Sequence, residues 1–161
     1  MPRISKDPKE RKDELLNAAM ELFATKGYEQ TSVSDIVKKI GVAQGTFYYY
    51  FQSKEEVVNA ACERTLASRL ESVKNLVESS QWNALEKLTR MFTDASPNEE
   101  DMDVFGYLHQ EINSTLHQKW IVAEIMGLLP YAQQIVQLGV EEGIFHVRQP
   151  ELAVEFLLVG A

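Results

Sequence analysis

The chain has 161 residues, 45% hydrophobic and 25% charged, an ordinary globular composition for one compact unit or one unit with a small appendage. One cysteine, Cys62, excludes an internal disulfide framework and fits a reducing, cytoplasmic compartment; no stretch approaches the roughly 20 apolar residues of a membrane span. The net charge of −8 argues against nucleic acid only as an average, because residues 1–54 carry nine Lys/Arg against seven Asp/Glu, leaving seven against seventeen for the rest. An acidic body behind a mildly basic head suppresses non-specific contact with polyanions while permitting one oriented approach.

Nearly every segment has a period near 3.6 and none alternates for strand length, so the fold class is all-α. The first helix opens at Asp7-Pro8-Lys9-Glu10, with Asp7 as cap and Pro8 at the first helical position. Leu15, Ala18, Ala19, Leu22 and Phe23 make its buried stripe, and Gly27 stops it. Ser32-Val33-Ser34-Asp35 is a second capping pattern and starts a short helix with Val33, Ile36, Val37 and Ile40 on one side. Asp35 and Lys39 are spaced to pair on its surface. Gly41 ends it, and a third helical stretch runs from about Ala43 to Phe51. Ser53-Lys54-Glu55-Glu56 launches a long helix to Ser79-Ser80, with Val58, Ala61, Cys62, Leu66, Leu70, Val73, Leu76 and Val77 inward.

A fifth helix is predicted from Trp82 to about Thr93, with both Trp82 and Trp120 as core residues. After the Ser96–Asp101 loop a sixth carries Phe105, Leu108, Ile112 and Leu116. A further stretch follows Gln118 and is expected to end or kink at Pro130; another continues to Glu142 and stops at Gly143. Pro150-Glu151 opens the last helix, apolar almost all round. Either the chain continues beyond Ala161 or this helix packs into a partner subunit.

The segment from Ser32 to Lys54 carries the chemistry. Two short helices joined by a tight Gly-containing turn, braced by an amphipathic helix, form a helix-turn-helix, whose second member enters the major groove. On that member Phe47, Phe51 and Ala43 share the docking face, while Gly45 and Tyr49 lie opposite, flanked by Tyr48, Thr46 and Gln44. A glycine on an exposed helical face costs about 0.5–1 kcal/mol relative to alanine, and its compensation is close backbone approach to something else. Tyrosine hydroxyls can bond phosphates and the rings can touch thymine methyls; Thr46 and Gln44 can address base edges. Lys54, at the start of a helix, is placed to favour a phosphate, and Thr31, Ser32 and Ser34 surround another helix start. Ser32 is assigned mainly to capping, and Tyr50 lies nearer the packed side.

The run Thr31-Ser-Val-Ser-Asp-Ile-Val-Lys-Lys-Ile-Gly-Val-Ala-Gln-Gly-Thr-Phe-Tyr-Tyr-Tyr-Phe-Gln-Ser-Lys-Glu-Glu-Val57 resembles the DNA-binding signature of TetR-family transcriptional regulators, closely over about residues 10–57. The resemblance implies a three-helix DNA-binding domain (1–52) and a helical effector-binding and dimerisation domain (53–161) that lacks the family's final helix. It also implies that Thr31, Gln44, Gly45, Thr46, Tyr48, Tyr49 and Lys54 match positions that commonly meet DNA; Ser34 joins them from its place at the helix start. Ala43 stands where a serine is frequent and Tyr50 where a histidine is frequent. The implied partners are an operator duplex, a small-molecule effector of unknown identity and a second copy of the chain.

Other readings are weaker. Thr89, Phe92, His109 and Gln134 are candidate effector contacts, as polar or aromatic residues on otherwise apolar faces. The acidic loop Glu99–Asp103 lacks calcium-site spacing, and His109 and His117 have no cysteine partner for zinc. No phosphate loop, nucleophile elbow or paired His/carboxylate constellation appears, so no catalytic residue, cofactor or metal is expected. The competing class is a helical protein-interaction module whose exposed tyrosines meet protein instead of DNA.

Overall fold

The structure, a computed structural model, describes residues 7–94 and 114–160, with the side chains of 114–117 left aside. Among the described residues every regular element is a helix: α1 (Pro8–Lys26), α2 (Val33–Lys39), α3 (Gln44–Tyr50), α4 (Lys54–Glu78), α5 (Ala84–Thr93), α6 (Ser114–Glu141) and α7 (Pro150–Val159). The predicted helix with Phe105, Leu108 and Ile112 lies outside the described residues. Two compact units divide the chain between Arg64 and Thr65, inside α4. The first therefore takes in the opening turns of α4, where Val57, Val58, Ala61 and Cys62 are buried.

In the first unit, local chemistry sets each helix end. The Asp7 carboxylate accepts from the Lys9 N–H at 2.8 Å and caps α1. Gly27, at φ +92°, ends it in a backbone conformation that a side chain would strain. Ser32 and Asp35 form a reciprocal capping box at α2, as the spacing predicts. The Val42 N–H donates to Val37 O at 2.9 Å and closes the turn into α3. Leu15, Ala19, Phe23, Ile36, Phe47 and Phe51 are all buried here. Burial also pushes the Cys62 thiol up to about 11, so it stays protonated and serves as a small apolar residue.

The second unit packs Val73, Ala84, Met91, Leu128, Ala132, Ile135, Val136 and Val154 into one core. Asn83 caps α5 in a box with Glu86, so the helix starts at Ala84, two residues later than predicted. The Ala84 N–H donates to Glu142 Oε2 at 2.9 Å, tying the start of α5 to the end of α6. Lys87 is buried, and its ammonium donates to Val77 O at 2.6 Å in the last turn of α4. Arg69 on α4 meets Glu124 on α6 at 2.7 Å; burial raises the Glu124 pKa, against the pull of the guanidinium.

Of the two outcomes expected at Pro130, an end or a kink, the structure removes the first: α6 continues through it. Proline deletes one hydrogen bond in the helical ladder, but Pro130 is exposed, so water can reach the carbonyl left without a partner. On α7 only Val154 is buried, whereas Leu152, Phe156, Leu157 and Val159 are each more than half exposed.

Candidate nucleic-acid interface

α3 divides its residues sharply. Phe47 and Phe51 are 0% and 1% exposed, with ring centroids 5.9 Å apart, and they hold the helix from behind. Tyr48 and Tyr49 are 54% and 78% exposed. Gln44 is exposed beside them, Thr46 is partly so, and Tyr50 is half-buried with its ring edge-on to Tyr49 at 4.8 Å. Gly45 is exposed, and a Cβ added there would meet no atom within 4 Å. The protein's own packing does not require this glycine. Ala43 departs from the predicted docking face: its extended backbone makes it the N-cap, ahead of the helical register, and it is exposed.

Two further residues, Thr31 and Lys54, sit differently from expectation. Thr31 is 1% exposed, and its hydroxyl points inward to Gly27 O at 2.7 Å, with Leu22 O at 3.2 Å. That side chain closes the α1–α2 loop and presents nothing outward. Lys54 does not extend from the surface. Its Nζ donates to Tyr28 O at 2.6 Å and Thr31 O at 2.8 Å, and lies 4.3 Å from the Tyr28 ring centroid. Ser34 is half-buried on α2.

The predicted Asp35–Lys39 pair is replaced by two pairs that reach back to α1. Lys26 Nζ donates to Asp35 at 2.7 Å, and Lys39 Nζ donates to Glu21 at 2.6 Å. Helix packing offers each lysine a carboxylate nearer than the one a turn away. Lys26, then the Ser32 hydroxyl and N–H, holds the Asp35 carboxyl well below the usual carboxylate range. A depressed carboxyl stabilises the fold fully above its unfolded pKa, and the contribution fades as pH falls through the folded one. Asp35→Asn therefore lowers the thermal midpoint at neutral pH, and its deficit against wild type shrinks as the pH drops below about 4. Melts from pH 2 to 7 check the sign, and a deficit that grew in acid would contradict it.

The proposed effector residues do not gather into one site. Thr89 lines an open groove of about 390 Å³ on the outer side of α5 with Trp82, Leu85, Glu86, Arg90, Thr93 and Asp94. Its hydroxyl donates to Leu85 O at 2.8 Å. Phe92 is exposed on α5 and Gln134 is exposed on α6, neither lining that groove; His109 lies outside the described residues. The guanidinium of Arg90 stacks 3.8 Å from the Trp82 ring, a contact that side-chain periodicity does not reveal. No helix among the described residues is long and apolar enough to cross a membrane.

Comparison with known proteins bears on the same segment. Residues 15–61 match the model described as bacterial regulatory proteins, tetR family. The uncharacterized HTH-type transcriptional regulator YvdT of Bacillus subtilis is 34% identical over 110 residues, covering 67% of this chain and 56% of that protein. The HTH-type transcriptional repressor KstR2 of Mycolicibacterium smegmatis is 33% identical over 91 residues, 56% of this chain and 44% of that protein. The chain thus spans less than two thirds of either relative. Among solved structures, the regulator FadR from Bacillus subtilis, in complex with stearoyl-CoA, is similar with a TM-score of 0.67 and 27% identity. That likeness covers 92% of this chain and 81% of the other.

Proposed function

Because the chain belongs to the TetR family of bacterial regulators, we propose that it is a ligand-responsive repressor that binds a pseudo-palindromic operator as a homodimer. A small-molecule effector releases it. The observation that carries this reading is the two-faced α3, buried through Phe47 and Phe51 and exposed through Gly45, Tyr48 and Tyr49. An α-helix of that shape fits the major groove, with its bare backbone and phenol rings turned to the base edges. Gln44 and Thr46 are the further base-edge candidates.

Dimerisation is assigned to α7. Four large apolar side chains exposed on one ten-residue helix are costly in water, and a second copy is the partner that removes them symmetrically. The double substitution Phe156→Glu with Leu157→Glu is expected to shift sedimentation from dimer to monomer and to abolish tight binding to a two-half-site duplex. A dimer that survives it would contradict the assignment. The FadR complex makes a long-chain acyl-CoA the first effector to test. It would act by binding one state of the protein more tightly than the other.

The deciding measurement is a salt titration of binding to a duplex that the protein selects from a random pool. Regulator and protein-interaction module separate there. The first shows sequence-selective binding that weakens steeply with salt, and the second shows none.

A further inference from the structure

We propose that Lys12, on α1, is a phosphate-binding residue of the DNA-reading head, placed at the C-terminal end of α3. The inference rests on the DNA-binding reading given above. It starts from which cations the head leaves open to a polyanion. Three are neutralised by its own carboxylates: Arg11 by Glu14 at 2.7 Å, Lys26 by Asp35 at 2.7 Å and Lys39 by Glu21 at 2.6 Å. Lys54 donates to the Tyr28 and Thr31 carbonyls and keeps one ammonium proton for an outside acceptor. Lys9, Lys12 and Lys38 are exposed, and among the described residues no carboxylate pairs with any of them.

Of these three, Lys12 is the one that a contact ties to α3. Its Nζ lies 5.4 Å from the centroid of the Phe51 ring, and Phe51 is the buried C-cap of that helix. A ring face attracts the ammonium without neutralising it, so the charge stays open to an anion. Leu15 and Leu16, in the next turn of α1, are buried and anchor the backbone that carries the lysine. The end of α3 needs a cation from another element. Its last turn holds no basic residue, and the helix dipole makes that end negative. In a helix-turn-helix the N-terminal residues of the reading helix meet the base edges. The opposite end is then the one turned toward a phosphate strand at the groove wall, where a bare helix C-terminus repels and Lys12 attracts.

The test compares Lys12→Met and Lys12→Arg with wild type on a mixed-sequence duplex and on the duplex that wild type selects, over a range of salt. Methionine keeps an unbranched apolar stem over Phe51 and removes the charge. Thermal melts confirm that each variant folds, and Lys12→Gln takes the place of a methionine variant that does not. The expected result for Lys12→Met is a salt slope lower by about one charge on both duplexes. Its affinity is about fivefold weaker at about 0.1 M salt and converges on wild type toward about 1 M. Lys12→Arg keeps the wild-type slope. An unchanged slope in Lys12→Met overturns the proposal. So does a loss of equal size at every salt concentration, which marks a residue that only packs on Phe51. A loss confined to the selected duplex marks a base contact and overturns it as well. Wild type that binds neither duplex takes away the DNA-binding reading itself, whereas an unaffected Lys12→Met beside a binding wild type removes this inference alone.

Discussion

Gly45→Ala is expected to weaken binding to the selected duplex about tenfold, or about 1.4 kcal/mol, while the thermal midpoint holds or rises. The two effects have opposite signs because they arise on opposite sides of the same backbone. Toward the protein, the added methyl meets nothing within 4 Å, and it replaces the most conformationally free residue in the first turn of α3. Toward the groove, it occupies space that the bare backbone leaves for base edges. The loss should grow with side-chain size, so that Gly45→Leu abolishes binding in a protein that still folds. Fluorescence anisotropy alongside thermal melts reads both quantities. Unchanged affinity in either variant would show that α3 does not approach DNA by this face.

Phe47→Ala should also abolish binding, for the converse reason. Phe47 is wholly buried beside Phe51, and deleting such a ring in a packed core costs about 3–5 kcal/mol. Domains of this size hold about 5–15 kcal/mol in all, so the head would be largely or wholly unfolded near physiological temperature. The measurement is a loss of helical signal and a lowered midpoint in the first unit. Binding should return on cooling to whatever extent the head refolds. A Phe47→Ala protein that kept the wild-type midpoint would mean that α3 is not held by this ring. Taken together, the two variants separate a surface that reads from a core that presents it.

Much of this was legible from residue order because it depends on neighbours within four positions. Helix starts at Asp7-Pro8, Ser32 and Ser53, the stop at Gly27, and the split of α3 into Phe47/Phe51 and Gly45/Tyr48/Tyr49 all follow from capping chemistry and a 3.6-residue period. Ala43 went astray by a single residue, since a cap lies just outside the helical register. Whether Pro130 ends its helix was not legible, because the cost of a proline in a helix depends on solvent access, which periodicity does not state.

Long-range partnerships were not written in the order of side chains. Lys54 looks like a surface cation until the fold brings two backbone carbonyls to it. Thr31 looks like an exposed hydroxyl until the α1–α2 loop turns it inward, and Asp35 exchanges Lys39 for Lys26. Every residue carries a carbonyl, so no choice of amino acid marks the ones that will meet a cation. Amino-acid order alone was enough to specify helices, the exposed face of α3 and the family they resemble, because local hydrogen bonding and amphipathic spacing are read over one or two turns. Which charges face outward emerged only from packing, because the distances between groups more than twenty residues apart are set by the whole fold.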